Sequence, residues 1–239
     1  MPAYGRPDRN FGISSGVRRT FANGSYTPGV TYLARADRIA LCDLMDELGP
    51  EAPTLSGEWT TADLAAHLVA RDVRPDSVPG LVVPALAGWS EKVRLGYKAR
   101  GFERCVGAVR AGPPRWSPLR LARADRLGNT HELFVHHEDV RRARPDWTVR
   151  DLDPADEDDI WRVLRTFSKR AFRAVPCGVV LRRPNGETHQ ARKGASDVVL
   201  IGPPGELLLY AFGRRTHAHV EIEGERESVD ALASASLSW

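Results

Sequence analysis

The sequence contains no apolar run near the roughly 20 residues that a helix needs to cross a bilayer, so no helical membrane span is expected. Cysteine is scarce: Cys42, Cys105 and Cys177 are odd in number, far apart and outside any C-x-x-C pairing. Neither a disulfide framework nor a cysteine zinc knuckle is indicated, and a reducing, cytoplasmic compartment fits best. Most of the chain also lacks an excess of charge. The formal net charge is +3, and residues 1–29 hold all of it, with Arg6, Arg9, Arg18 and Arg19 against Asp8. The rest divides into 30 basic and 30 acidic residues. That balance argues against a nucleic-acid-binding face, where basic residues would concentrate. What is present is a 239-residue chain, 42% hydrophobic and 27% charged, long enough to bury a sizeable core as one large domain or two small ones.

Residues 1–29 are rich in Gly, Pro, Ser and Asn, show no apolar period and read as a disordered tail. They lack the apolar stretch of a secretory signal. Translation is expected to begin near Val30, with the tail a mis-assigned start. From there the spacing turns helical: Leu33, Asp37, Ala40, Leu41, Leu44 and Leu48 follow the i, i+3, i+4 template until Gly49-Pro50. In "EWTTADLAAHLVAR", Thr60 is a natural N-cap with Asp63 three positions on. His67 shares a face with Leu64 and Leu68 and should look inward. A connection with Pro75, Pro79, Gly80 and Pro84 leads to helical segments near 89–100 and 102–111, which end at Gly112-Pro113-Pro114. A long helix from about Leu119 to Ala143 follows. The next, from Pro154 to Ala174, has proline in its first turn and a stripe of Ile160, Trp161, Leu164, Phe167 and Phe172.

Beyond residue 175 the character changes. "GVVLRRPNGETHQARKG" reads as a hairpin turning at Asn185-Gly186, "SDVVLIGPP" as a third strand and "GELLLYAFGRR" as a short buried helix. "HAHVEIEGE" reads as a fourth strand with His217, His219, Glu221 and Glu223 in alternation. The expected fold class is α+β: a helical bundle over 30–175 and a smaller α+β unit over 176–239.

The stretch "THELFVHHEDVRR", residues 130–142, concentrates three histidines and three acidic groups in one helix. Glu132 and His136, four apart, share a face. The zincin pattern H-E-x-x-H fails, because the second histidine would fall on Val135. Taken alone, the pair is weak evidence for a metal and reads first as a solvated helix face. An inward-facing His67 would complete a set of two imidazoles and one carboxylate suited to zinc, with open positions for water or substrate. Whether the two helices adjoin is not given by spacing. His131 and His137 point away from the pair and are expected at the surface. Asp139 either orients the His136 ring or lies on a wet face. Asp63 is expected as an N-cap partner, Trp59 as a hydrophobic staple and Cys42 as a buried, inert thiol.

The segments "EWTTADLAAHL" and "NTHELFVHHEDVRR" resemble the DinB-like metalloprotein superfamily and, within it, the mycothiol-dependent maleylpyruvate isomerase-like family of actinobacteria. A branch of that family is similar also over "VVLRRPNG", "ARKG" and "GPPGELLLYAFGR", so the resemblance runs from Tyr32 to the end and leaves residues 1–29 unmatched. It implies a DinB-type four-helix bundle followed by a small α+β domain. It also implies a divalent metal, zinc by its donors, on His67, Glu132 and His136. The Gly-Arg that closes the short C-terminal helix falls on Gly213-Arg214, which makes Arg214 the implied partner of a substrate carboxylate, with Arg215 an adjacent competitor. Mycothiol is the implied thiol cofactor and a small electrophile the implied substrate. The activity so implied is isomerase or S-transferase chemistry on a metal-activated thiol. The alternative is a metal-stabilised module that binds a small ligand or a protein without turnover.

Overall fold

Apolar residues at helical spacing produce eight α-helices among the described residues, and the β-branched runs after residue 177 produce four strands. The structure is a computed structural model and describes residues 32–74, 76, 83–117 and 121–237. The tail expected over 1–29, Pro75, Pro79 and Gly80 of the expected connection, and the expected helix start at Leu119 lie outside these residues. Among the described residues, no helix is long and apolar enough to cross a membrane.

Helix α1 (Leu33–Leu48) ends at Gly49, whose φ of 79° is the left-handed conformation that favours glycine. Helix α2 (Thr61–Val73) opens on the expected capping box, with the Asp63 carboxylate accepting from the Thr60 backbone N–H at 3.2 Å. Helices α3 (Ala87–Lys98) and α4 (Phe102–Ala111) follow, then α5 (Ala122–Arg141) and α6 (Pro154–Ala171). α1 packs on α4 and α5, α2 on α3 and α4, and α6 on α5. Leu41, Met45, Leu64, Leu68, Val106, Val109, Leu133 and Val140 form one buried core between the first five helices.

Strands β1 (Gly178–Arg182) and β2 (Thr188–Arg192) form the expected antiparallel hairpin, with Gly186 at φ 87° in its turn. β3 (Asp197–Ile201) pairs with β1 in parallel and β4 (Glu221–Glu223) with β3 antiparallel, giving the order β2-β1-β3-β4. The fourth strand is therefore shorter than expected: His217 lies in a 3-10 turn and the ladder begins only at Glu221. Helix α7 (Pro204–Ala211) is buried throughout, and α8 (Arg226–Ser234) has no counterpart in the sequence reading.

A second core joins Phe134 and Val135 of α5 to Ile160, Trp161 and Leu164 of α6, Val179 and Leu181 of β1, Val198 and Leu200 of β3, and Leu207–Leu209 of α7. It spans the boundary expected at residue 175. α5 and α7 approach so closely that a Cβ on Gly205 would lie 2.8 Å from the Phe134 ring. α5 thus has one core on each side, Leu133 and Val140 in the first and Phe134 and Val135 in the second.

This double contact overturns the expected surface positions of His131 and His137. They are 7% and 6% exposed. His131 packs on the rings of Phe167 and Phe212, and His137 Nδ1 lies 2.9 Å from Asp37 Oδ1 of α1. The buried charges toward the C-terminal end of α5 find partners inside the protein. Arg142, 2% exposed, donates to Glu138 on its own helix and, through both terminal nitrogens, to Glu206 of α7 at 2.6 and 3.0 Å. Arg150 forms an ion pair with Glu138 at 2.7 Å and donates to Asp37 at 2.6 Å. Breaking a buried ion pair from one side leaves an uncompensated charge at a cost of about 3–5 kcal/mol. Arg142→Ala is therefore expected to lower the unfolding free energy by that amount in urea titrations; a loss under about 1 kcal/mol would show that the acids find other partners.

Candidate metal centre

His67 comes from the middle of α2, where the apolar spacing turns it inward, and it is 8% exposed. Glu132 and His136 come from one face of α5. The fold brings the three together: their ligand atoms all lie within 4.8 Å of one another, the one such group found among the described residues. His67 Nε2 is 2.9 Å and His136 Nε2 3.4 Å from Glu132 Oε1. A tetrahedral ion with bonds of about 2 Å holds its donor atoms about 3.3 Å apart, so these separations suit one ion. The two imidazoles meet edge to face with centroids 5.3 Å apart.

Electrostatics prepare the donors. Burial would raise the Glu132 carboxyl, but the Arg71 guanidinium and hydrogen bonds with His136 and His67 outweigh it and hold Glu132 well below the usual carboxylate range. Burial also pushes His67 down, so that the pair is a neutral imidazole beside a carboxylate, the protonation state that a metal requires. His136 is opposed by burial yet raised to about 9 by its hydrogen bonds with Asp139 and Glu132. Two carboxylates around one ring favour a positive charge there, which a bound cation would supply.

Asp139, left open between ring orientation and a wet face, orients the ring: its Oδ2 is 2.9 Å from His136 Nδ1, and its side chain is fully buried. A carboxylate on the far nitrogen fixes the tautomer and turns Nε2 toward Glu132. Burial raises Asp139, but His136 and then Arg214 lower it from 3.8 to about 2. Its stabilisation is thus present above about pH 4 and lost as pH falls through about 2.

Arg214 lies on this side of the centre. Its Nε and Nη2 donate to Asp139 at 2.8 and 2.7 Å, its Nη2 also reaches Ser56 Oγ at 3.1 Å, and its Nη1 donates to the Phe212 carbonyl. Arg215 points elsewhere, donating to the carbonyls of Ala233 and Ala235. Trp59, the expected staple, packs on the first core; its ring also lies 5.1 Å from the His67 ring and 5.1 Å from the Arg94 guanidinium. Asp63 caps α2 and pairs in addition with Arg94 and Lys98.

Two residues of the centre escaped the sequence reading. Arg71, whose Nε is 3.5 Å from Glu132 Oε1, sits four positions after His67, so helical periodicity could have found it. Ser56, which donates to Asp139 at 2.7 Å, sits in a loop that is also anchored to α5 by the Leu55 N–H bonded to the Asp139 carbonyl at 3.1 Å; no periodic signal marks it. The cysteines stand apart: all three are buried, and burial pushes the Cys42 thiol up to about 11.

No family model matches this chain, and no curated protein matches it. Two solved structures do. One is described as the mycothiol-dependent maleylpyruvate isomerase, 19% identical, with a TM-score of 0.49 over 81% of this chain and 91% of that one. The other is a histidine-to-alanine mutant of that enzyme, 18% identical, with a TM-score of 0.46 over the same shares.

Removing the Asp139 acceptor should free the His136 ring. Asp139→Asn is expected to weaken zinc affinity about 10–100-fold in competition with a chromophoric chelator while the fold persists by circular dichroism; unchanged affinity would remove Asp139 from the centre. With all three thiols buried, the native protein is expected to leave Ellman's reagent unreacted until it is unfolded, when all three cysteines react.

Proposed function

We propose that this chain is a divalent-metal-binding protein in which His67, Glu132 and His136 hold one ion, zinc by the chemistry of its donors, and that it acts as a mycothiol-dependent isomerase or S-transferase on a small electrophile. The observation that carries the reading is the convergence of two imidazoles and one carboxylate, from helices 65 residues apart in sequence, on one small volume with a buried carboxylate behind His136. Three protein donors leave positions for an exogenous ligand, the arrangement of catalytic rather than structural zinc. Such an ion, when bound, stabilises thiolate over thiol, which is the chemistry that a thiol-dependent reaction needs. The choice of mycothiol rests on the sequence resemblance.

The chain's own residues supply the rest. Asp139 holds the His136 ring at Nδ1, Arg71 neutralises Glu132 from behind, and Trp59 walls one side of His67 against water. We assign residues 30–175 to a DinB-type four-helix bundle that holds the metal. The packing of α1 on α4 and α5 and of α2 on α3 and α4 supports that assignment. Residues 176–239 form the small α+β part that sends Arg214 to the centre. Arg214 is kept as the partner of a substrate carboxylate, a role that requires it to leave Asp139.

That requirement favours a second reading, a metal-stabilised binding module without turnover, because the Arg214 guanidinium is already taken by Asp139, Ser56 and Phe212. Metal-dependent consumption of mycothiol in the presence of an electrophile separates the two. The decisive first measurement is elemental analysis of the wild type beside Glu132→Ala/His136→Ala. About one divalent ion per chain, lost in the variant, is expected; no ion in either protein after reconstitution would end both readings.

A further inference from the structure

Strand β2 ends the sheet. One of its edges pairs with β1, and the other pairs with no strand among the described residues. In an antiparallel ladder, hydrogen-bonded and non-bonded residue pairs alternate. The Arg183 N–H bonds the Glu187 carbonyl at 2.9 Å, so Leu181 and His189 form the next bonded pair, and Thr188 and Gln190 turn their N–H and C=O groups outward. An outward row of this kind is a template for one more strand.

The end of α6 runs beside this edge. Ser168 Oγ lies 3.0 Å from His189 Nε2, and the Arg192 guanidinium donates to the Arg173 carbonyl at 2.6 Å. Arg165 and Lys169, four apart, share one exposed face of α6, and Arg173 continues that line just past its end. Burial, and then the charges of Arg165 and Lys169, hold the His189 ring below its usual pKa, which sets both cations close to the strand. Arg192 and Lys193 extend the row at the far end of β2.

These cations are short of partners. Glu187, at the hairpin turn, takes Arg165 at 3.6 Å. Lys169, Arg173, Arg192 and Lys193 form no ion pair among the described residues, and the buried Nε of Arg192 has no hydrogen-bond partner there. A chain whose charges otherwise balance thus carries a local positive excess along one open strand edge. A second copy of this edge would bring like charges together, whereas an acidic strand would neutralise them. Nucleic acid could meet the charges but has no peptide N–H and C=O groups to complete the ladder.

We propose that β2 and the adjoining face of α6 form a docking site for an extended acidic segment of a partner protein. The segment adds to the four-stranded sheet beside β2, and its carboxylates, two residues apart and so on one face, meet Lys169 and Arg173.

Fluorescence anisotropy of the full-length protein with a labelled peptide TEVEVEVE, at low salt where surface charges are least screened, tests this. Three comparisons accompany it: the same peptide N-methylated at alternate backbone nitrogens, the same peptide with glutamine for glutamate, and an oligothymidylate of equal charge. The expected result is saturable one-to-one binding of the acidic peptide, with none of the other three binding within about tenfold of it. Affinity should fall by about tenfold or more in Lys169→Glu/Arg173→Glu, which changes only exposed side chains, and in Thr188→Pro, which removes one outward N–H. No binding of the acidic peptide by folded wild type, equal binding of the N-methylated peptide or of the oligothymidylate, or unchanged affinity in Lys169→Glu/Arg173→Glu would overturn the proposal. If Thr188→Pro does not fold, the N-methylated peptide alone decides whether the ladder is used.

Discussion

Helix α5 is buried on both sides while carrying ionised groups, and the rest of the structure is arranged to satisfy it. Glu138 and Asp139 have fully buried side chains, and Arg142 is almost as deep. An isolated ion at such a depth would cost several kcal/mol, against a net stability of only about 5–15 kcal/mol for a whole protein. Each charge therefore needs a partner at a definite place. Glu138 meets Arg141, Arg142 and Arg150, Arg142 meets Glu206 of α7, and Asp139 meets Arg214 beyond α7. Apolar burial draws α5 into the interior, and these pairings set the register in which α1 and α7 may lie against it.

The candidate metal centre is one end of that same arrangement. Glu132 is compensated by Arg71 and its two histidines, Asp139 by His136 and Arg214. Asp139 serves both the ring of His136 and the guanidinium of Arg214, and so ties the C-terminal part of the chain to the centre, with Ser56 a second partner of Arg214. His137, one residue on and about 100° around the helix, belongs instead to the pairing with Asp37.

Much of this was legible in the residues themselves. Periodicity placed α1 through α7 within a few residues, since each has a stripe, a cap or a glycine stop that owes nothing to its neighbours. The hairpin followed from Asn185-Gly186. Two expectations fail for a shared reason: pointing away from Glu132 and His136 suggests water for His131 and His137 only if the rest of α5 is wet, and alternation with His219 suggests a strand for His217 only if a partner strand reaches it. In both, a local pattern was read as though its surroundings were known. The brief α8 escaped because only Ser228 and Leu232 of it are buried, too weak a stripe to mark a helix.

What the sequence determined by itself is what depends on near neighbours along the chain: the approximate placement of α1 through α7 and of the hairpin, the capping box of Thr60 and Asp63, the pairing of Glu132 with His136 on one face, and the inward turn of His67. What only the tertiary structure decided is what depends on two distant segments meeting. That His67 reaches Glu132, that Asp139 holds His136 and is held by Arg214 and Ser56, and that Arg142 bridges Glu138 to Glu206 are facts of packing between elements. The reason is physical: backbone periodicity is fixed by local sterics and hydrogen bonding, whereas the partner of a buried charge is fixed by whichever side chain the rest of the chain brings within about 3 Å.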